Sequence, residues 1–204
     1  MFGDILRTLR PAFILLILLS LVTGLAYPAA LTAVAGLVFP RQAAGSLVSD
    51  NGKITGSELL GQQFSDPGHF WGRPSATSPQ PANASSSGGS NLTPAGEAQL
   101  KAVKERAEAL RAADPGNAAP LPADLLTASA SGLDPHISPA AALWQASRVA
   151  RARGLDENAV RQLIAKRVED RQLGFLGEPR VNVLLLNRDL DSLAQSAHNT
   201  GSNP

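Results

Sequence analysis

Cysteine is missing from this chain, with 0 Cys among 204 residues. That excludes disulfides, thiolate metal ligands and a cysteine nucleophile. A domain of this chain outside the reducing cytoplasm would rest on a hydrophobic core in place of cross-links. Aromatics are scarce at 4%, so each Trp and Phe carries a large share of any such core. An excess of one charge is also missing. Lys and Arg number 18 against 17 Asp and Glu, a formal net charge of +1, which leaves no basic stripe for a nucleic acid. The 3 His residues, His69, His136 and His198, are far apart. No H-E-x-x-H pair, G-x-S-x-G elbow, Walker loop or dinucleotide fingerprint occurs, and no metal site is expected.

A mean hydropathy of -0.02 conceals a division within the chain. Residues 11–40 carry no charge, a run longer than the about 20 residues that cross a bilayer as a helix. Its first half, Phe13-Ile14-Leu15-Leu16-Ile17-Leu18-Leu19, is bulky and apolar. Such side chains favour insertion into lipid by on the order of a few kcal/mol in sum. No second run of this kind follows Arg41, which excludes a polytopic transporter. A cleaved signal peptide is the alternative, with Arg7 and Arg10 as its basic start and Ala33-Val34-Ala35 as its cleavage form. The apolar run continues past that site through Leu37-Val38-Phe39, which favours an uncleaved anchor. Arg7 and Arg10 before the span, against Arg41 after it, point to a cytoplasmic N-terminus and an outer C-terminal domain.

The second half of the span is rich in small residues four apart: Ser20 and Gly24, Ala26 and Ala30, Ala29 and Ala33, Thr32 and Gly36. Small side chains let another helix approach closely, although an Ala-rich composition produces such pairs by chance. Pro28 lacks an N–H and is expected to kink the helix or end its first part.

Beyond the span, Asp50-Asn51-Gly52 between two short apolar-polar runs reads as a β-hairpin turn. Residues 75–93 are rich in Ser, Pro, Asn and Gly and read as a loop. Its Gly-Ser run could cradle an anion, but without the Walker spacing a flexible loop is the simpler reading. Thr93 with Pro94 predicts the start of a helix carrying Leu100, Val103, Ala107 and Leu110, ended by Asp114-Pro115-Gly116. Ser138-Pro139 opens another, closed by Gly154, and Asp156 caps a third with Val160, Leu163, Ile164 and Val168 inward. Residues 180–187 predict a buried strand, Leu190 and Leu193 a last short helix, and the polar residues from Ala194 a frayed end.

The expected fold is a single N-terminal transmembrane helix plus one mixed α+β extracytoplasmic domain. In residues, 1–11 form a short cytoplasmic N-terminus, 12–38 the membrane helix, 39–193 the outer domain and 194–204 a disordered tail. One pair could carry chemistry: Asp134 could orient His136 as a general base, or Asp134-Pro135 could simply build a turn.

Several runs stand out together: Gly56-Ser57-Glu58-Leu59-Leu60-Gly61-Gln62, Phe70-Trp71-Gly72-Arg73-Pro74-Ser75-Ala76-Thr77 and Ser87-Gly88-Gly89-Ser90-Asn91-Leu92. They are followed by Thr127-Ala128-Ser129-Ala130-Ser131-Gly132-Leu133-Asp134-Pro135-His136-Ile137-Ser138-Pro139 and Gly174-Phe175-Leu176-Gly177-Glu178-Pro179-Arg180-Val181-Asn182-Val183. In this order behind one span, they resemble the C subunit of the Kdp-type potassium-transporting P-type ATPases of bacteria, the KdpC family. The resemblance extends from the anchor to about residue 193 and departs at Thr93, where the family form has Gly.

The resemblance implies a non-catalytic subunit of the bacterial inner membrane, in a complex that imports K⁺ at the expense of ATP. Its implied partners are a channel-like A subunit, an ATP-hydrolysing B subunit and a small F subunit, with membrane lipid around the span. The family is described as a catalytic chaperone that raises the affinity of the B subunit for ATP. By resemblance, a nucleotide role falls on Ser129, Ser131, Gly132 and Gln145, and the motif loop comprises Ser87, Gly88, Gly89, Ser90 and Asn91. Helix packing in the membrane falls on Ser20, Gly24, Ala26, Ala30, Ala33 and Gly36.

Topology and nucleotide role conflict. The B subunit binds ATP in the cytoplasm, whereas the charge pattern places everything after Arg41 outside. The reading that reconciles them has the domain packed on the outer face of the A subunit, influencing ATP use only through coupling. A membrane-anchored envelope hydrolase using Asp134 and His136, and a free-standing nucleotide-binding module, are the alternatives.

Overall fold

The structure is a computed structural model describing residues 2–50 and 52–201, and it divides into two compact units, residues 1–47 and 48–204. Asn51 of the expected hairpin turn, the side chain of His198, and residues 202–204 of the expected tail lie outside what is described.

The first unit is helical. α1 (Phe2–Leu21) runs through a π-helical turn (Val22–Ala26) into α2 (Tyr27–Val38), and a short α3 (Pro40–Ala43) follows. The stretch Arg7–Val38 is 32 residues long and apolar enough to cross a membrane. At 1.5 Å per residue it spans about 48 Å, more than a bilayer's hydrocarbon core. Its side chains stand open, Leu16 at 60% and Leu25 at 64% exposed, an arrangement suited to lipid and costly in water. Pro28 does not end this helix. The π turn sits just before it, where the Tyr27 N–H reaches five residues back to the Val22 carbonyl, giving room to the ring and to the carbonyl Pro28 cannot serve.

The second unit mixes helices with two small sheets. β1 (Leu47–Asp50) pairs with β2 (Lys53–Ser57). After the long loop come α4 (Glu97–Ala113), α5 (Ala123–Leu126), β3 (His136–Ile137), α6 (Pro139–Arg153), α7 (Glu157–Arg167), β4 (Val168–Glu169), β5 (Arg180–Asn182) and α8 (Val183–Gly201). The second sheet has the order β3-β5-β4 and is antiparallel throughout, with Ile137 and Val168 both opposite Val181.

Local signals set the α6 and α7 ends as expected. Ser138 Oγ accepts from the Ala141 N–H at 3.0 Å, and Gly154 closes α6 at φ 64, a left-handed position that a side chain would strain. Asp156 caps α7 by accepting from the Ala159 N–H at 3.0 Å. Val149 of α6, Val160 and Ile164 of α7, Val181 of β5, Leu186 and Leu190 of α8, and Phe70 form the buried centre.

Two boundaries differ from the sequence reading. The strand expected over 180–187 stops at Asn182, whose Oδ1 accepts from the Leu185 N–H at 3.2 Å and starts a helix. A continuous apolar run fits strand and helix alike. Here the buried set Val183, Leu186, Asn187 and Leu190 follows helical spacing. α8 then continues to Gly201, through residues 194–201 of the expected tail. At the other boundary, Gly96 donates to the Thr93 carbonyl at 2.8 Å, so residues 93–96 make a separate turn and α4 begins at Glu97.

Candidate functional site

Phe70 and Trp71 belong to no strand, yet their backbone is fully paired. Asn187 of α8 brackets Phe70: its Oδ1 accepts from the Phe70 N–H at 2.8 Å and its Nδ2 donates to the Phe70 carbonyl at 3.0 Å. Gln145 of α6 does the same for Trp71, at 2.8 and 3.1 Å. Arg148, one turn on, donates to Gln145 Oε1 at 2.7 Å and to the His69 carbonyl at 3.1 Å, and also to the Pro67 carbonyl. Its guanidinium lies 3.9 Å from the Trp71 ring centre, a cation–π contact. Burial lowers the Arg148 pKa to about 10, opposed by the carboxylates of Asp114 and Asp66, so it stays charged at neutral pH.

Next to this clamp lies a cavity of about 350 Å³, lined on its apolar side by Phe64, Trp71, Leu110 and Leu184. Arg73, Arg106, Ser129, Gly132 and Asp134 also line it. Arg73 donates to Asp134 Oδ2 at 3.1 Å and to the Ala128 carbonyl at 3.4 Å. Asp134 Oδ1 accepts from the His136 backbone N–H at 3.0 Å. Burial opposes ionisation of Asp134, but the His136 and Arg73 donors outweigh it and hold the carboxyl below its ordinary value. His136 Nδ1 stands 3.6 Å from the carboxylate, too far for a hydrogen bond. Asp134 therefore serves as the anchor of a turn and of Arg73.

The two glycine-bearing motif loops pack on each other. The Gly88 N–H and Ser87 Oγ donate to the Ser131 carbonyl at 2.9 and 3.1 Å. Gly132, at φ 69, has no room for a Cβ, which would lie 2.5 Å from Thr77 Cγ2. A Cβ on Gly89 would lie 2.8 Å from the Ala130 carbonyl oxygen. Ser75 Oγ ties the loop down, donating to the Gly132 carbonyl at 2.7 Å and accepting from the Ala82 N–H at 2.9 Å. Ser90 is exposed, and Asn91 takes φ 50.

Of the residues to which the resemblance gives a nucleotide role, Ser129 and Gly132 meet at the cavity. Ser131 Oγ accepts from the Leu133 N–H at 3.1 Å, and Gln145 is 0% exposed with both ends of its amide engaged. Gln145 has no free group to offer ATP. Among the described residues, no group of three or more His, Asp or Glu is placed to hold a metal ion. In the first unit, Ser20, Gly24, Ala26, Ala30, Ala33 and Gly36 are all exposed, and a Cβ on Gly24 or Gly36 would meet nothing within 4 Å.

Residues 9–192 match the family described as KdpC: K⁺-transporting ATPase, c chain. The chain belongs to the KdpC family. It is 65% identical over 185 residues to the potassium-transporting ATPase KdpC subunit of Polaromonas naphthalenivorans, covering 91% of this chain and 94% of that one. It is 63% identical to the subunit of that name in Variovorax paradoxus, covering 92% and 97%, and 61% identical to that of Sorangium cellulosum, covering 91% and 98%. Family membership makes the chain a subunit of a K⁺-transporting ATPase with an N-terminal candidate membrane helix.

Asn187, Arg148 and Arg73 were missed in the sequence reading. Asn187 closes an unbroken apolar run and is followed by Arg188 and Asp189, so nothing in the sequence marked it as inward-facing before the helical register was known. Arg73 stood within the Phe70–Thr77 motif run but without a role, and Arg148 had no signal, because the partners of both lie far off in sequence.

Proposed function

We propose that this KdpC-family chain is anchored with its N-terminus in the cytoplasm and its second unit outside. There it docks on the outer face of the channel-like A subunit and supports assembly and K⁺ uptake. Any rise in the ATP affinity of the B subunit reaches the nucleotide by coupling through the complex, not by contact. The observation that carries this reading is Gln145, whose saturated amide is committed to the fold. The flanking charges, Arg7 and Arg10 against Arg41, support the orientation. The small-residue positions of the span would form the membrane part of the contact with the A subunit.

The test uses the lack of native cysteine. Exposed Ser86 replaced in Ser86→Cys should react with an impermeant thiol reagent added to intact spheroplasts. Labelling only after lysis would overturn the orientation.

The placement of Ser129 and Gly132 on a cavity with two arginines favours a second reading, direct nucleotide contact there. It requires that ATP titrated into the purified full-length chain in detergent release saturable heat, lost in Arg106→Ala. The coupling reading expects no heat.

A further inference from the structure

The loop between β4 and β5 leaves three large apolar side chains in the open: Leu173 is 83% exposed, Phe175 68% and Leu176 48%. Single exposed apolar residues are ordinary, but a cluster at one loop tip is not. The loop is also held in shape. Gln172 and Leu176 exchange backbone hydrogen bonds at 2.9 Å in both directions. The N–H groups of Gly174 and Phe175 donate back to the Arg171 and Gln172 carbonyls at 3.1 and 3.2 Å. Leu173 is forced to φ 54, a region that leucine disfavours, beside Gly174 at φ 81 and ahead of Gly177 at φ 77. At the base, Arg171 pairs with Glu178 at 2.6 Å and Arg180 with Glu169 at 3.0 Å. A preformed apolar tip thus rises from a base held by two ion pairs.

The charge around the tip says what covers it. Residues 169–180 carry three carboxylates, two arginines and no Lys, Trp or Tyr. Loops that enter lipid are rimmed by basic residues and interfacial aromatics, and this rim is instead slightly acidic and ion-paired. A phenylalanine between two leucines, set beside two ion pairs, is the form of a protein–protein anchor entering a pocket. Membership of an ATPase complex supplies protein partners. We propose that the 173–176 tip is a docking knob that inserts into an apolar pocket on another protein subunit of the transport complex. This deepens the docking reading above. It needs a partner subunit but not a particular side of the membrane.

The test uses the full complex. Phe175→p-benzoylphenylalanine, irradiated in membranes containing all the subunits, should yield an adduct of this chain with a larger subunit. An adduct with lipid alone, an adduct between two copies of this chain, or no adduct would overturn the proposal. As a second measurement, Phe175→Asp should lower co-purification of the other subunits by about tenfold, with this chain retained in the membrane at its normal level. Unchanged co-purification would overturn it too. Labelling at Ser86→Cys reports only the side of the membrane, so failure of the orientation and failure of the docking knob give different results.

Discussion

The side-chain amide of Gln145 replaces a neighbouring strand for Trp71, pairing with its N–H at 2.8 Å and its carbonyl at 3.1 Å across 74 residues of sequence. Asn187 repeats this for Phe70 across 117 residues. Two helices therefore hold the strandless Phe70-Trp71 backbone by side-chain amides, and Arg148 adds hydrogen bonds to the Pro67 and His69 carbonyls and a cation–π contact with Trp71. Buried backbone groups need partners, so this clamp is a requirement of the fold before it is anything else.

Replacing Gln145 with leucine keeps the volume and removes every partner of the Trp71 backbone that it supplies. Gln145→Leu should lose about 3 kcal/mol, because the Trp71 N–H, its carbonyl and Arg148 are left short of partners in a buried site. Urea denaturation of the purified full-length chain in mild detergent measures this. A variant as stable as the wild type, with a defect confined to ATP affinity of the complex, would contradict the structural role.

The two motif glycines Gly132 and Gly88 should differ sharply. Gly132→Ala meets both a left-handed backbone and a clash with Thr77 and the Gly88 carbonyl, and should cost about 2–4 kcal/mol. Gly88→Ala meets nothing within 4 Å and should cost under about 0.5 kcal/mol. Denaturation midpoints of the two variants, side by side, check the contrast. Equal losses would mean that the loops do not pack as described.

Asp134 ties part of the acid stability to one carboxyl. Its folded pKa lies below its unfolded value, so ionisation stabilises the fold above the unfolded value. That contribution is lost as pH falls through the folded pKa, in the window below about 4. Asp134→Asn should be less stable than wild type at pH 6, and the gap should narrow as pH falls through this window. Thermal melts at steps from pH 6 to pH 3 provide the readout. A gap that stays constant with pH would show that the Arg73 and His136 contacts do not favour the ionised form.

In the membrane span, Gly24→Ile has free space within the chain itself. The variant should insert at its normal level yet co-purify less of the larger subunits, if this face packs against them. Quantitative blots of the membrane fraction and of the purified complex separate the two effects. Full recovery of the complex would assign Gly24 to a lipid-facing side.

Much of the second unit was legible because its signals are local. Ser138, Gly154 and Asp156 act on backbone groups within a few residues, and each is found at the helix end it predicts. The run from Val183 was not legible as a helix, because unbroken apolar sequence carries no period until one face is buried. Ser129 and Gly132 were singled out through resemblance. Their meeting with Arg73 and Arg106 around one cavity was invisible, since those residues come from separate segments.

The sequence by itself determined the apolar span, the capped helices α6 and α7 and the motif runs that mark the KdpC family, all of them properties of neighbouring residues. Only the tertiary structure decided that Gln145 and Asn187 serve as backbone partners, that Asp134 anchors Arg73, and that Leu173, Phe175 and Leu176 stay in the open. Those outcomes depend on which groups lose water and which partners remain in reach once distant segments pack together.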